Sequence, residues 1–287
     1  MKIRIGTRKS KLALAQTELV ISEIKRAFPE TETEVVCVTT KGDRVTDIPL
    51  EKLGGNGVFV KEIEQLLLDG RIDIAVHSAK DLPVKLASGL AVSGVLKRGN
   101  PRDMLILRNG AEIDEKAALN IGTGSLRRRQ NLSFLYPNVR FSDIRGNVDT
   151  RLKKLADGEF DGIILACAGV ERLGADLGGF RTICFDVEQF LPAACQAIIA
   201  VECRQNSPSE RVVKAISDKD TMLCYETEKE VLRLLGADCG TPVSAYAQLH
   251  GSEITLTASL FPDKVLSESA AVSERFELVA RIARGLK

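Results

Sequence analysis

Apolar runs of strand length alternate with amphipathic stretches of helical spacing along this chain of 287 residues, and this alternation restricts the fold most. In the N-terminal part the strand-like runs lie at 2–7, 33–40 and 72–77, and the helical stretches lie at 11–28 and 58–69. Ser10 is placed to cap the first helix, because its hydroxyl oxygen can accept from free N–H groups at the helix start. The repeated order of strand, helix and strand predicts an α/β lobe.

A turn-rich segment at 97–102 interrupts the alternation, and we expect a hinge there. Strand-like runs then resume near Leu119, Val139 and Gly162. The second series predicts a second α/β lobe. Two lobes that face each other across a hinge form a closable cleft for a small polar ligand, an architecture that also suits a binding protein.

The C-terminal part changes character. Residues 193–204 have helical spacing, and a smaller α+β unit is expected from about Ser217. Its predicted helices lie at 222–235 and 272–286, and its predicted strands lie at 243–249 and 253–261.

Composition argues against several classes of protein. Lys and Arg total 40 against 39 Asp and Glu, and aromatic residues make up 5%, so the basic field and the stacking platforms of nucleic-acid-binding proteins are disfavoured. No stretch approaches the roughly 20 apolar residues that span a bilayer. The first residues lack the apolar core and cleavage site of a signal peptide, which predicts a cytoplasmic protein without membrane contact.

The seven cysteines form no C-x-x-C pair, and with only two histidines in the chain no metal site is expected. Six of the cysteines lie inside apolar or periodic runs, where burial makes thiols inert. Cys239 differs because it lies in a turn, Gly-Ala-Asp-Cys-Gly-Thr-Pro at 236–242, after a predicted helix. It is the thiol best placed for covalent chemistry, although a loop cysteine without a role remains the alternative.

A glycine-rich turn at 122–130, Gly-Thr-Gly-Ser-Leu-Arg-Arg-Arg-Gln, follows a predicted strand and opens a helix. Free N–H groups and the positive end of the helix dipole make such a turn an anion site. Arg127 and Arg128 fall in or near the first helical turn, where cations are disfavoured unless an anion binds. A solvated basic helix start remains the alternative.

Two further predicted strands end in arginine. Arg145 and Arg151 belong to Arg-Gly-Asn-Val-Asp-Thr-Arg at 145–151, and Arg8 follows the first strand. Several guanidinium groups at the carboxyl ends of strands predict a ligand with multiple carboxylates, and phosphate is also compatible with them. For each arginine taken singly, a surface salt bridge remains the alternative.

The segment Ala-Val-His-Ser-Ala-Lys-Asp-Leu-Pro at 75–83 runs from a buried strand into a polar turn. It places Lys80 and Asp81 at the rim of the expected cleft, where Asp81 is the candidate acid for a leaving amine. A turn or helix cap is the structural alternative for Asp81. His77 is expected to be a packed or hydrogen-bonded strand residue.

Ordered motifs through nearly the whole chain resemble the porphobilinogen deaminase family. They are IGTRKSKLALAQ at 5–16, VTTKGD at 38–43, VFVKEIE at 58–64, AVHSAKDLP at 75–83, GTGSLRRRQ at 122–130, RGNVDTRL at 145–152 and DGIILACAGVERLG at 161–174. The resemblance implies two periplasmic-binding-protein-like α/β lobes around a cleft and a small α+β C-terminal domain. It implies domain 1 at 1–97 and 190–212, domain 2 at 101–187 and domain 3 at 217–287.

The resemblance also implies an activity, which is the head-to-tail condensation of four porphobilinogen molecules with loss of ammonia. The product, hydroxymethylbilane, would be released by water from a dipyrromethane primer held through a thioether on Cys239. Asp81 would be catalytic and would also contact this cofactor. Further cofactor contacts are implied for Lys80, Ser125, Arg127, Arg128, Arg145 and Gly146. Substrate contacts are implied for Arg8, Ser10, Arg151, Arg172 and Gln196. A monomer without a metal is implied.

Some positions depart from the family pattern. Asn56 stands where lysine is usual, and Ala194-Cys195-Gln196-Ala197 stands where Gly-Gln-Gly is usual. The sequence around Cys239 also departs from the commoner form.

The main alternative function is a non-catalytic two-lobed protein that binds a small carboxylate, although such a protein has no use for Cys239 or Asp81. A nucleic-acid-binding module is a weaker third reading.

Overall fold

The structure is a computed structural model that describes residues 1–39, 60–237, 241–260 and 264–287. The strands of these residues form two five-stranded mixed sheets, each covered by helices, and one three-stranded antiparallel sheet. This arrangement confirms the predicted fold class of two α/β lobes and a small α+β unit. Asn56 and Cys239 lie outside the described residues.

The first sheet has the strand order β2-β1-β3-β10-β4. Its strands are β1 (Lys2–Arg8), β2 (Glu32–Val38), β3 (Ile74–Ser78), β4 (Leu90–Val95) and β10 (Ile199–Arg204). Strand β1 runs parallel to β2 and β3, whereas β10 runs antiparallel to β3 and β4. The accompanying helices are α1 (Lys11–Ala27), α2 (Lys61–Leu68) and α6 (Pro208–Ala215). Side chains such as Ile5, Ile24 and Val201 fill the core of this lobe.

The helix predicted for 193–204 is wrong, because β10 occupies Ile199–Arg204. The strand is buried on both faces, so its apolar run lacks the alternation that marks a half-buried strand. Ahead of it, Cys195 and Ala197 have left-handed φ angles of 61° and 69°. These two residues stand where the resembled family has glycine, which adopts this conformation without steric cost.

The second sheet has the order β7-β6-β8-β5-β9. Its strands are β5 (Asp103–Arg108), β6 (Asn120–Gly122), β7 (Arg140–Ser142), β8 (Gly162–Ala166) and β9 (Phe180–Cys184). The helices are α3 (Leu126–Leu135), α4 (Val148–Ala156) and α5 (Cys167–Leu173). Because β6 runs parallel to β7 and β8, their carboxyl ends lie at the same edge of the sheet.

The C-terminal unit comprises α7 (Lys219–Leu235), β11 (Val243–His250), β12 (Glu253–Leu260), β13 (Lys264–Ala271) and α8 (Arg275–Leu286). Leu256, Leu278 and Ile282 are among the apolar side chains that the two helices and the sheet bury together. The sequence did not predict β13, since most of its residues are polar or exposed. Across the described ranges, no helix is long and apolar enough to cross a membrane.

Two segments connect the lobes. The predicted hinge at 97–102 lies between β4 of the first sheet and β5 of the second, and the chain returns from β9 to β10 through 185–198. At the end of this second connection, β10 pairs with β3 and β4 of the first sheet. The exact domain boundaries stay a prediction.

Candidate active site

Lys80 and Asp81 lie in a short 3-10 turn that follows β3 directly. The turn is fixed to the returning segment, because Ala79 N donates to Ile198 O at 3.0 Å. The Asp81 side chain is exposed, whereas Lys80 is half-buried and its Nζ donates to Gln196 Oε1 at 3.4 Å. The pair therefore lies at the edge of the first lobe, and its expected place at the rim of a cleft stays a prediction.

An arginine pair on the second lobe surrounds a buried carboxylate, Asp103, at the start of β5. Arg127 Nη2 lies 2.8 Å from Asp103 Oδ2, and Arg128 Nη2 lies 2.8 Å from Asp103 Oδ1. Burial opposes ionisation of Asp103, but the two arginines lower its pKa to about 2. The Asp103 carboxylate therefore supplies the negative charge that allows two arginines to lie in the first turn of helix α3, Leu126–Leu135.

Other bonds fix the direction of both guanidinium groups. Arg127 Nη1 donates to Leu191 O at 2.9 Å, and Arg128 Nη1 donates to Ile164 O at 2.9 Å. Ser125 caps α3, since its Oγ accepts from Arg128 N at 3.4 Å. Both arginine side chains are buried, so the alternative of a solvated basic helix start is wrong.

The turn between β7 and α4 contains Arg145 and Gly146, and Arg151 lies near the start of α4. Arg151 Nε donates to Gly146 O at 2.8 Å. Gly146 has a φ of 111°, and a Cβ there would lie 2.7 Å from the Thr150 side chain, so only glycine fits this turn. Burial and the nearby Arg128 and Arg145 lower the pKa of Arg151 to about 10, whereas Asp81 opposes this shift.

Lys80 shows that the two lobes share one electrostatic site. Burial lowers the pKa of its ammonium to about 8, and Arg128 and Arg127 of the other lobe add to this effect, against Asp81 and Asp103. Among the described side chains, this cluster has five cations, Lys80, Arg127, Arg128, Arg145 and Arg151, and two carboxylates, Asp81 and Asp103. Burial is the largest cause of the low pKa values of Lys80 and Arg151, and the neighbouring arginines add to it.

Arg8 and Ser10 lie at the same edge of the first sheet as Asp81. Strand β1 runs parallel to β3 with Gly6 opposite Ala75, so Arg8 ends β1 beside the strand that leads into the Lys80 turn. Ser10 caps α1, where its Oγ accepts from Ala13 N at 3.3 Å, which confirms the predicted cap. The next residue, Lys11, forms an ion pair of 2.6 Å with Asp149 of α4, so these two helix starts face each other across the lobes.

Arg172 and Gln196 contact the connecting segments. Arg172 Nη2 donates to Ala197 O at 2.5 Å. Gln196 is fully buried, and its Nε2 donates to Pro101 O at 2.7 Å while its Oε1 accepts from Lys80. Gln196 therefore joins the Lys80 turn to both connections between the lobes, whereas Arg172 is held against the returning segment.

Sequence reasoning missed Asp103. The available signal was an acidic residue at the junction of the turn-rich segment and the apolar run Met-Leu-Ile-Leu at 104–107. His77 is confirmed as a hydrogen-bonded strand residue, since its Nε2 lies 3.0 Å from the buried Glu202 Oε2.

The donor set of the cluster fits a group with several carboxylates, such as a dipyrromethane with acetate and propionate arms. Guanidinium groups bind carboxylates through paired N–H donors, and an added anion would offset the excess positive charge. In the ranges that the structure describes, no group of three or more His, Cys, Asp or Glu side chains is arranged to hold a metal ion. Cys239, the expected attachment residue, lies outside those ranges.

Comparison with known proteins gives the same family as the motifs. Residues 3–211 match the family described as porphobilinogen deaminase, dipyromethane cofactor binding domain. The porphobilinogen deaminase of Brevibacillus brevis is 41% identical over 99% of this chain and 94% of its own length. That of Streptococcus sanguinis is 43% identical over 90% of this chain and 86% of its own length.

Among solved structures, the BenM effector binding domain with benzoate aligns with 82% of this chain and 93% of its own at 14% identity, with a TM-score of 0.43. The sequence relatives are far more similar, and they cover nearly the whole chain, including the C-terminal unit. Their identity, the family match across both lobes and the cationic cluster beside Asp81 lead to one assignment. The chain belongs to the porphobilinogen deaminase family.

Proposed function

We propose that this chain is the enzyme that condenses four porphobilinogen molecules on a covalent dipyrromethane primer and releases hydroxymethylbilane by hydrolysis. The observation that carries this proposal is an exposed carboxylate, Asp81, beside cations from both lobes within the range matched by the family. A transport or sensing protein for a carboxylate would share the cations. The relatives, all named porphobilinogen deaminase, do not favour that alternative.

The cationic cluster would hold the acetate and propionate groups of the cofactor and the growing chain. Arg127, Arg128 and Asp103 are held together as a rigid group with one net positive charge, which would attract an anionic ligand. Lys80 and Arg151 would add positive charge beside this group, because Arg128 contributes to the pKa of both side chains. The two lobes approach each other at the ion pair between Lys11 and Asp149. Arg8 and Ser10 lie next to this ion pair. We expect contacts to the incoming substrate there.

Asp81 would act on the aminomethyl group of porphobilinogen. Its carboxylate can accept hydrogen bonds from the ammonium and the pyrrole N–H, orienting the bond that breaks. As ammonia leaves, the positive charge that remains on the substrate is stabilised by this nearby carboxylate. When bound, the dipyrromethane supplies the pyrrole carbon nucleophile to which the first substrate is joined.

Gln196 and Arg172 would serve the connection between the lobes. Gln196 bonds to Lys80 and Pro101, and Arg172 bonds to Ala197, so both side chains contact the segments that connect the lobes. A cleft that holds a lengthening polyanion needs such adjustable links. We further propose the domain limits given above, a cytoplasmic location and a monomeric state, which follow from the family resemblance.

The decisive experiment is the intact mass of the purified protein followed by peptide mapping. We expect extra mass of two linked pyrroles on the peptide with Cys239, and no such mass on the Cys239→Ser variant. Cys37→Ser is the matched control, because Cys37 is exposed in the first lobe and should not affect the adduct. A wild-type thiol at 239 that stays unmodified after incubation with porphobilinogen would support the binding-protein alternative.

A further inference from the structure

Two cysteines of the second lobe lie in contact. The Sγ atoms of Cys167 and Cys184 are 3.2 Å apart. Cys167 begins α5 and is fully buried, whereas Cys184 ends β9 and is exposed. The burial expected from the sequence for Cys184, and likewise for Cys37, is therefore wrong. The proposed activity uses neither residue.

The two thiols differ in their surroundings. Burial raises the pKa of the Cys167 thiol, and its hydrogen bond to Cys184 raises the pKa further. Cys184 is open to solvent, so a dissolved oxidant reaches it first. A solvent-exposed thiol with a second thiol in contact is the arrangement that redox-sensitive cysteine pairs use.

Other cysteines of the described ranges lack this arrangement. Cys195 and Cys224 are buried, and burial raises the pKa of each thiol to about 12. Cys203 is also buried, and its Sγ donates to Ser93 Oγ at 3.4 Å. Cys37 is exposed and thus provides an internal comparison for Cys184.

We propose that Cys184 and Cys167 form a peroxide-reactive dithiol that closes reversibly to a disulfide. The Cys184 thiol loses its proton to water, and the thiolate attacks one oxygen of hydrogen peroxide. The O–O bond breaks, Cys184 sulfenic acid forms, and the leaving hydroxide takes up the proton to give water. The Cys167 thiol then attacks the sulfenic sulfur, which forms the S–S bond and releases a second water. Peroxide is reduced by two electrons, and the two thiols together are oxidised by two.

The bond would form close to the anion site. In the sheet, Met104 of β5 pairs with Cys184, and its neighbour Asp103 pairs with Ala166, the residue before Cys167. A disulfide would therefore link the start of α5 covalently to the end of β9, beside Met104 of β5, which is the neighbour of Asp103. Contraction of the sulfur separation from 3.2 Å to about 2.0 Å is needed. Side-chain rotation can supply most of that movement because Cys184 is exposed.

The test treats the protein as purified with one equivalent of hydrogen peroxide, blocks free thiols with N-ethylmaleimide and maps the peptides without reduction. Before the thiols are blocked, the oxidised protein should weigh about 2 Da less, and the peptide map should contain a cross-linked pair of peptides with Cys167 and Cys184. Dithiothreitol should reverse both changes. The Cys37→Ser variant should behave as wild type. Cys184→Ser should form no cross-link, and Cys167→Ser should leave a sulfenic acid on Cys184 that dimedone traps.

The proposal is overturned if Cys167 and Cys184 of the oxidised wild type still alkylate separately, or if Cys184 proceeds to sulfinic acid without a cross-link. Cys167 is buried, so the Cys167→Ser protein can fail to fold. Cys184 is exposed, so the Cys184→Ser variant should fold and still tests the proposal. Because the readout is a mass and a peptide map, the result does not depend on turnover or on the proposed function.

Discussion

The guanidinium of Arg98 is paired with the carboxylate of Glu228, with Arg98 Nη1 2.5 Å from Glu228 Oε1. Glu228 is fully buried in α7, and its oxygens also accept from the backbone N–H groups of Cys195 at 2.5 Å and Ala247 at 2.8 Å. Arg98 Nε in turn donates to Gln196 O at 3.0 Å. One buried carboxylate therefore joins both connections between the lobes to the C-terminal unit.

Arg98→Met should destabilise the protein strongly. The substitution leaves Glu228 buried without its cation, which costs about 3–5 kcal/mol in comparable pairs. Urea denaturation monitored by circular dichroism measures the change. Glu226→Gln is the control on the same helix, because it removes an ion pair with Arg275 whose carboxylate is 43% exposed. That control should cost less than about 1 kcal/mol, and equal losses for the two variants would contradict the assigned role of Glu228.

Asp103→Asn should lower stability at neutral pH, because Arg127 and Arg128 then remain buried without a counter-charge. We expect a loss of about 3–5 kcal/mol. Burial opposes ionisation of Asp103, but the arginines hold its pKa at about 2, below the unfolded value of 3.8. The stabilisation is complete above about pH 4 and is lost as the pH falls through about 2.

The unfolding free energies of the Asp103→Asn variant and wild type should therefore converge between pH 4 and pH 2. Asp143→Asn is the control, since Asp143 pairs with Arg129 at 2.5 Å but is 75% exposed. Its effect should stay below about 1 kcal/mol. A constant difference between wild type and Asp103→Asn across this pH range would show that Asp103 is not the titrating group.

The sequence predicted which residues lie in the turns after strands, but it did not predict the long-range contacts that hold some of these residues in place. Arg8, Lys80 and Arg145 follow local motifs, in which a turn and a helix start can be read from neighbouring residues. Asp103 could not be assigned its role, because its partners lie 24 and 25 positions further along the chain and only the folded sheet brings them together. The same holds for β10, whose paired residues in β3 and β4 precede it by 105 to 129 positions.

Ala197→Gly should keep or raise stability, although it removes a methyl group. Ala197 has a φ of 69°, which costs a non-glycine residue about 1–2 kcal/mol, and glycine avoids this cost but loses more chain entropy on folding. We expect a net change between zero and a gain of about 1 kcal/mol. Ala200→Gly, in the extended β10 strand, should instead lose about 1 kcal/mol or more. Thermal denaturation of both variants tests this, and equal destabilisation would contradict the strain at 197.

The pH profile of kcat/KM for the proposed enzyme should have a basic limb, a fall at high pH, because Lys80 loses its proton there. Burial and Arg128 lower the pKa of Lys80 to about 8, so the cluster loses a positive charge as the pH rises through that value. We expect kcat/KM for porphobilinogen to fall above about pH 8, because the substrate's carboxylates then meet a weaker field. Lys80→Arg should move this limb to higher pH, since guanidinium stays protonated. An unchanged limb in Lys80→Arg would assign it to another group.

Asp81→Ala should abolish turnover without unfolding the protein. The Asp81 side chain is exposed, so we expect its removal to change the unfolding free energy by no more than about 0.5 kcal/mol. The loss of a positioned carboxylate should lower kcat by about 10²–10⁴ or more, while KM changes much less, because the cations still bind the substrate. Asp69→Asn, an exposed aspartate at the end of α2, is the control and should retain wild-type kcat. Normal kcat in Asp81→Ala, with the fold verified by circular dichroism, would refute its catalytic role and leave the cluster as a binding site alone.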